Sequence, residues 1–107
     1  MADATELTAR VRAALADRSD VVEKPMFGSI GFLVGGVLRV GVGRHPNHVM
    51  MARVPAAEEA DALALPGVCP AVMRGRTVHG WLFFEAEAVA TDDLLARWIR
   101  SALAAEA

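Results

Sequence analysis

The sequence has only one cysteine, Cys69, so no intrachain disulfide bond can form. Its first residues lack both the basic segment and the apolar segment of a secretory signal peptide. No stretch approaches the ~20 consecutive apolar residues that a membrane span requires. These absences predict a soluble protein of the cytoplasm that does not associate with a membrane.

Charged residues are also scarce, at 22% of the 107 residues, and they nearly balance: 11 basic and 13 acidic side chains give a net charge of −2. Tight binding to nucleic acid depends on many contacts between basic side chains and phosphates. We therefore do not expect direct nucleic-acid binding. Since Lys24 is the only lysine, the other positive charges are arginines, which can bind an anion through two hydrogen bonds.

Hydrophobic residues, in contrast, make up 54% of the chain. That composition excludes an intrinsically disordered protein. A chain of this length can bury enough surface to hold one core without disulfides or metals. We therefore predict a single domain that spans residues 1–107.

The spacing of the apolar residues predicts three helices. The first covers residues 4–18, with its apolar side chains on one face. A short second helix begins at Pro55, which suits the first position of a helix, and runs to about residue 63. Thr91 can cap the last helix through its side-chain oxygen.

Between the first two helices the apolar period changes to two, which is typical of strands. Gly35-Gly36 can form the turn of a hairpin, because glycine accepts the positive φ that such turns need. On the returning strand, the alternation predicts Leu38, Val40 and Val42 on one face, with Arg39 on the other.

Two further segments complete the predicted sheet. One strand is expected over residues 48–53, and a second hairpin pairs residues 71–74 with residues 77–85 around Gly75. The segment 66–70 contains two prolines and a glycine, which favours an irregular connection. The order of helix, three or four strands, helix, two strands and helix lacks βαβ alternation. It predicts an α+β fold, a two-layer sandwich with helices on one face of an antiparallel sheet.

Four short motifs follow one another in a recognisable order. A Lys-x-Met-Phe-Gly motif occupies residues 24–28, a Pro-Gly-x-x-Pro motif residues 66–70, and a Gly-Trp pair residues 80–81, with Trp98 in the last helix. Together they resemble the TfoX/Sxy N-terminal-domain family over about residues 5–104. The resemblance implies a small two-layer domain with an antiparallel sheet.

The same resemblance implies a function. Founding members of the family are associated with the regulation of natural competence and act with other transcription factors rather than as enzymes. The resemblance therefore implies a non-enzymatic interaction module without a cofactor, whose partner is another protein or a second copy of the chain in a homodimer. Those regulators also carry a C-terminal domain, and this chain is expected to be a stand-alone N-terminal domain.

The polar residues of greatest interest lie in the second hairpin. Arg74, Arg76 and His79 could bind a small molecule or an anion, and the ring of Trp81 could add a cation–aromatic contact. This is the alternative function. An ordinary solvated hairpin tip is the simpler interpretation, and a tryptophan is more often a core residue than a binding platform. Lys24 is either a surface charge or the partner of a carboxylate.

Three further residues, His45, His48 and Cys69, carry groups that could ligate a metal or act as a nucleophile. His45 and His48 have the spacing of metal ligands, but a zinc site needs three or four ligands, so no metal site is predicted. Cys69 lacks the neighbouring base that a nucleophile needs, and an inert, partly buried thiol is expected. No catalytic residue is therefore predicted. Met26-Phe27 is expected to fill part of the core.

Overall fold

The computed structural model describes residues 4–26, 29–43 and 48–105. The strands are β1 (Val21–Met26), β2 (Ser29–Val34), β3 (Val37–Gly43), β4 (Met50–Arg53), β5 (Val68–Met73) and β6 (Arg76–Phe84). The α-helices are α1 (Ala4–Ala14), α2 (Glu59–Leu63) and α3 (Asp92–Ala104), and two 3₁₀ turns cover Ala56–Glu58 and Ala86–Val89.

The strands form one antiparallel sheet in the order β1-β2-β3-β4-β6-β5. The predicted α+β class and the order of elements are therefore confirmed. The outer strands β1 and β5 each contain a proline, Pro25 and Pro70. Proline cannot donate to a ladder, so both edges are poor templates for a further strand.

One face of the sheet is covered by helices, because α1 and α3 pack on β3 and β4. The row formed by Phe32, Val40, Ala52 and Leu82 on successive strands is fully buried under them. Trp98 of α3 is also buried and donates a 3.0 Å hydrogen bond from its indole nitrogen to the carbonyl of residue 88. No helix among the described residues is long and apolar enough to cross a lipid bilayer.

The helix boundaries differ in part from those predicted. The cap of α3 is confirmed: the Thr91 hydroxyl accepts a 3.2 Å hydrogen bond from the Leu94 amide. The first helix ends at Ala14 instead of residue 18. The amides of residues 15, 16 and 18 donate hydrogen bonds to carbonyls three residues earlier in the chain, which is the pattern of a turn and not of a continuing α-helix. The second helix is divided into a 3₁₀ turn and α2.

The prediction of an irregular segment over residues 66–70 is wrong in its second half. Strand β5 begins at Val68 and includes Pro70. Its position at the edge of the sheet explains this, since a proline in an edge strand removes no ladder hydrogen bond.

The prediction for the returning strand of the first hairpin is also wrong at two residues. Phe32 pairs with Val40, but Leu33 pairs with Leu38, so Arg39 is an extra residue in a bulge. A bulge shifts the alternation of side chains by one position. Leu38 therefore lies on the face away from the helices.

Arg39 instead points to the helical layer. Its guanidinium donates to the backbone carbonyls of Ala102 and Ala105 at the end of α3. These carbonyls lie in the last turn of the helix, where a positive charge is favourable. The bulge thus converts an expected surface arginine into a cap that ties the sheet to the last helix.

Candidate functional site

The face of the sheet opposite the helices carries a second apolar surface. Residues directly paired across antiparallel strands have side chains on the same face. The row Gly31–Gly41–Met51–Phe83 alternates with the buried row under the helices and therefore points away from them. We call this surface the open face, and its main side chains are Lys24, Met26, Leu38, Met51, Arg53, Met73, Trp81 and Phe83.

The centre of the open face is a shallow hollow with a volume of about 280 Å³. We call it the methionine hollow, and it is lined by Met26, Ser29, Gly31, Leu38, Gly41, Met51 and Met73. Most of these side chains are half-buried against one another, and Met73 is 38% exposed. Methionine is unbranched and polarizable, so such a surface adapts to the shape of a ligand.

Two glycines form the floor of the methionine hollow. A Cβ atom at Gly31 would lie 2.6 Å from Met26 Sδ and 2.9 Å from Leu38 Cδ1. One at Gly41 would lie 3.0 Å from Met51 Cγ. The absence of side chains at these positions lets the methionine and leucine side chains lie flat across the strands. Met26 is thus at the open face and not in the core as predicted, while Phe27 lies outside the described residues.

Both aromatic residues of the open face are covered by a polar side chain. The guanidinium carbon of Arg53 lies 4.8 Å from the ring centroid of Trp81, and its Nε donates a 2.9 Å hydrogen bond to the carbonyl of Leu38. The ring of His48 stacks on Phe83, with centroids 3.8 Å apart. Two roles are open to Trp81, core residue or binding platform, and the residue is half-buried on the open face.

The rim of the methionine hollow is positively charged. Lys24 is paired with Gly31 and Arg76 with Met73, so both side chains lie on the side of the hollow. Lys24, Arg74 and Arg76 are exposed and form no ion pair with another described residue. Lys24 is thus a surface charge. Three other arginines are instead ion-paired, as Arg10–Asp92, Arg12–Glu23 and Arg18–Asp20. Arg97 and Arg100 of α3, like the rim cations, form no ion pair with a described residue.

The hairpin that carries Arg74 and Arg76 has the expected tight turn. Arg74 and Gly75 both have positive φ, at 54° and 75°, as a two-residue hairpin turn of the primed type requires. Gly80, with φ of 88°, interrupts the extended conformation of β6 lower in the same hairpin. The hairpin tip therefore bends, and Met73 reaches the hollow beside Met51.

His79 is not brought together with the two arginines in one contact. Its Nδ1 lies 3.2 Å from Glu59 Oε2, and the Gly80 amide donates a 2.9 Å hydrogen bond to Glu59 Oε1. Two hydrogen bonds lower the pKa of Glu59: the larger effect comes from the Gly80 amide and the smaller from His79. This pair joins α2 to β6, so the contact of His79 is with the helical layer.

The environment of Cys69 favours an unreactive thiol. Cys69 is half-buried, and its Sγ lies 3.9 Å from Glu85 Oε2. Burial, and then the charge of Glu85, raises the pKa of the Cys69 thiol, which favours the unreactive protonated form. His45 lies outside the described residues, and no group of three or more His, Cys, Asp or Glu within the described ranges could hold a metal ion.

The open face was missed at the sequence level, although two signals were present. Met50 and Met51 are adjacent in one strand and must point to opposite faces. The alternating glycines 31, 41 and 43 also mark one face of a hairpin as poor in side chains. Together these patterns indicate that the second face of the sheet is apolar and accessible.

Comparison with known proteins identifies a family for this chain. The family described as TfoX N-terminal domain matches residues 13–106, which is nearly the whole chain. Neither a curated protein nor a solved structure matches the chain.

Proposed function

Since the chain belongs to the TfoX N-terminal domain family, we propose that it is a non-enzymatic interaction module that binds a protein partner through its open face. In this proposal the module acts in the cytoplasm, where its single thiol stays reduced, and regulates the partner by occupying or presenting a surface. The observation that carries the proposal is the apolar open face, which none of the described helices covers.

The composition of the open face supports a protein partner. Methionine, aromatic residues and arginine are enriched in protein interfaces, and here Met51, Trp81 and Arg53 lie side by side on adjacent strands. Apolar surface that is accessible on one face of a domain often marks a binding site, and here the exposed Met73 adjoins the half-buried side chains of Met26, Leu38 and Met51. The polar rim around an apolar centre is the usual arrangement of such an interface.

The polar residues of the chain support a role without catalysis. The carboxylate of Glu59 is held by His79 and by a backbone amide. Burial and Glu85 favour the protonated form of Cys69. The lowered pKa of Glu59 makes its carboxylate a weaker base, and a cysteine nucleophile acts as the thiolate, which the raised pKa of Cys69 disfavours.

The alternative function, an anion or small-molecule site at Arg74, Arg76 and His79, is less well supported. The hydrogen-bonding partner of His79 is Glu59, on the helical layer. The methionine hollow, at about 280 Å³, lies at the lower end of the ~300–1,000 Å³ of typical small-molecule sites.

A photo-crosslinking amino acid placed at single positions tests the proposal in the native host. Met73 lies on the open face, and Arg100 is an equally accessible position on α3. We expect a discrete covalent adduct from position 73, identified by mass spectrometry, and none from position 100. Adducts from position 100 alone, equal adducts from both positions, or none from position 73 would overturn the proposal.

A further inference from the structure

The methionine hollow is built from both ends of the sheet. Met26 belongs to β1 and Met73 to β5, the two edge strands, yet both line the same hollow. The positive φ of Gly80 and the register shift between Pro70 and Val72 allow the second hairpin to bend across the open face. The result is a trough, with β1 on one side and the hairpin tip on the other.

Each side of this trough carries positive charge. Lys24 lies on β1, and Arg74 and Arg76 lie at the hairpin tip. Four described carboxylates have partners elsewhere: Glu23, Asp20 and Glu59 in the contacts Arg12–Glu23, Arg18–Asp20 and His79–Glu59, and Glu85 beside the thiol of Cys69. The trough thus has an apolar floor between cations that lack a carboxylate partner among the described residues.

A second copy of the chain does not fit this surface face to face. Such a dimer would place Lys24, Arg74 and Arg76 against the same cations of the other copy, and like charges at an interface oppose association. Pairing at the sheet edges is hindered by Pro25 and Pro70. Nucleic acid is a poorer fit, because Trp81 and Phe83, the rings on which bases could stack, are already covered by Arg53 and His48.

We infer that the methionine hollow binds an acidic amphipathic segment of a partner protein. The apolar side chains of that segment contact Met26, Met51 and Met73, and its carboxylates contact the cationic rim. The inference rests on the proposed function and adds the chemistry of the partner. Helix-in-groove recognition uses such apolar anchors. The flexible methionines allow different apolar side chains to anchor, whereas the cations select for acidic residues beside them.

The test uses the full chain labelled with ¹³C at its methionine methyl groups and a pair of synthetic amphipathic peptides. The two peptides share their leucine residues and differ only in carrying glutamates or lysines beside them. Met26, Met51 and Met73 report on the hollow, and Met50, which is fully buried under the helices, is the internal control. We expect the glutamate peptide to shift the three methyl signals of the hollow, to leave Met50 unchanged, and to bind about tenfold more tightly than the lysine peptide.

Charge reversal at matched positions separates the rim from general electrostatics. Arg76→Glu changes the rim, and Arg100→Glu makes the same change in the exposed surface of α3. We expect Arg76→Glu to weaken binding of the glutamate peptide about fivefold, and Arg100→Glu to leave it within about twofold of the unchanged protein. Equal losses in the two variants would overturn the inference.

The remaining outcomes distinguish the inference from the proposed function. If the lysine peptide binds at the hollow as tightly as the glutamate peptide, the partner is not acidic and the inference fails, although the open face still binds peptides. If the methyl signals instead shift with protein concentration alone, the occupant is a second copy of the chain and the inference fails. If neither peptide shifts the methyl signals of Met26, Met51 or Met73 at millimolar concentration, the inference fails. A partner crosslinked at position 73 would in that case still support the proposed function, without the acidic segment.

Discussion

Arg53 lies over the indole ring of Trp81, with its guanidinium carbon 4.8 Å from the ring centroid. The two residues are paired directly across β4 and β6, and the Nε of Arg53 also donates to the carbonyl of Leu38 on β3. One side chain therefore links three strands and covers an aromatic ring. This contact fixes the border between the apolar and the charged parts of the open face.

Removal of this contact should expose the indole of Trp81. We expect Arg53→Ala to lower the free energy of unfolding by about 1–2 kcal/mol, from the lost cation–aromatic contact and hydrogen bond. Collisional quenching of tryptophan fluorescence by acrylamide should increase. Arg97→Ala is the control, because Arg97 lies 4.9 Å from the ring of Trp98, which is already buried by the core. Equal increases in quenching would contradict the placement of Trp81.

An added methyl group at the floor of the hollow should alter the open face without unfolding the protein. Gly31→Ala must displace Met26 Sδ and Leu38 Cδ1, which are the ends of flexible side chains. Alanine is favoured over glycine in a strand by ~0.5–1 kcal/mol, so the net change in stability should stay within about 1 kcal/mol. The methyl signal of Met26 should shift, and binding of the glutamate peptide should weaken.

Gly43→Ala is the comparison for that substitution. A Cβ atom at Gly43 would lie 3.1 Å from the backbone Cα of Ser29, which cannot move aside as a side-chain end can. Thermal or denaturant unfolding should show Gly43→Ala to be clearly the less stable variant. If Gly31→Ala is equally unstable, the floor of the hollow is rigid and the adaptable surface described above is wrong.

The cap that Arg39 provides to α3 should contribute to stability. Arg39→Met keeps most of the aliphatic stem but removes the hydrogen bonds to the carbonyls of Ala102 and Ala105. We expect a loss of about 1–2 kcal/mol in the free energy of unfolding and faster amide exchange in the last turn of α3. Arg100→Met, on the exposed side of the same helix, should change stability by less than ~0.5 kcal/mol. An Arg39→Met variant with an unchanged free energy of unfolding would show that the cap is dispensable.

The contact of Glu59 with Gly80 and His79 should appear in the pH dependence of stability. These partners lower the pKa of Glu59 in the folded protein, so the carboxylate stabilises the fold above the unfolded value of ~4.3. That contribution is lost as the pH falls through the lower folded pKa. Glu59→Gln should therefore be less stable at neutral pH and should lose less stability between about pH 5 and pH 3.

Asp61→Asn, two residues further along the same short helix, supplies the control for the pH experiment. Asp61 is exposed, and its side chain forms no ion pair with another described residue. Its substitution should leave the acid limb of the stability curve unchanged, as measured by urea unfolding at a series of pH values. If Glu59→Gln and the unsubstituted protein lose the same free energy of unfolding as the pH falls, the lowered pKa of Glu59 in the folded protein is contradicted.

Much of the fold could be predicted from local patterns. The cap at Thr91, the glycine turn at Gly35-Gly36 and the turn at Gly75 depend on short segments whose chemistry is visible in the sequence. The α+β class follows from the order of these segments. The resemblance to the TfoX N-terminal domain, which the family match bears out, depends on the same local motifs.

The open face could not be predicted in this way, because it depends on pairing and on bulges. The extra residue Arg39 reverses the side on which Leu38 lies, and a period-two pattern cannot show such a shift. The register of β4 with β6 brings Arg53 to Trp81 from a distant part of the chain. Which face of a sheet the helices cover is likewise decided by packing between remote segments.

The solvent accessibility of the methionine methyl groups is the measurement that tests the open face most directly. A neutral gadolinium chelate added to the ¹³C-methyl-labelled protein broadens the signals of methyl groups that solvent can reach. We expect strong broadening for Met73, clear broadening for Met26 and Met51, and none for Met50, which has no exposed surface. Protection of Met51 equal to that of Met50 would show that this face of the sheet is covered in solution, and the open face would then not be a binding surface.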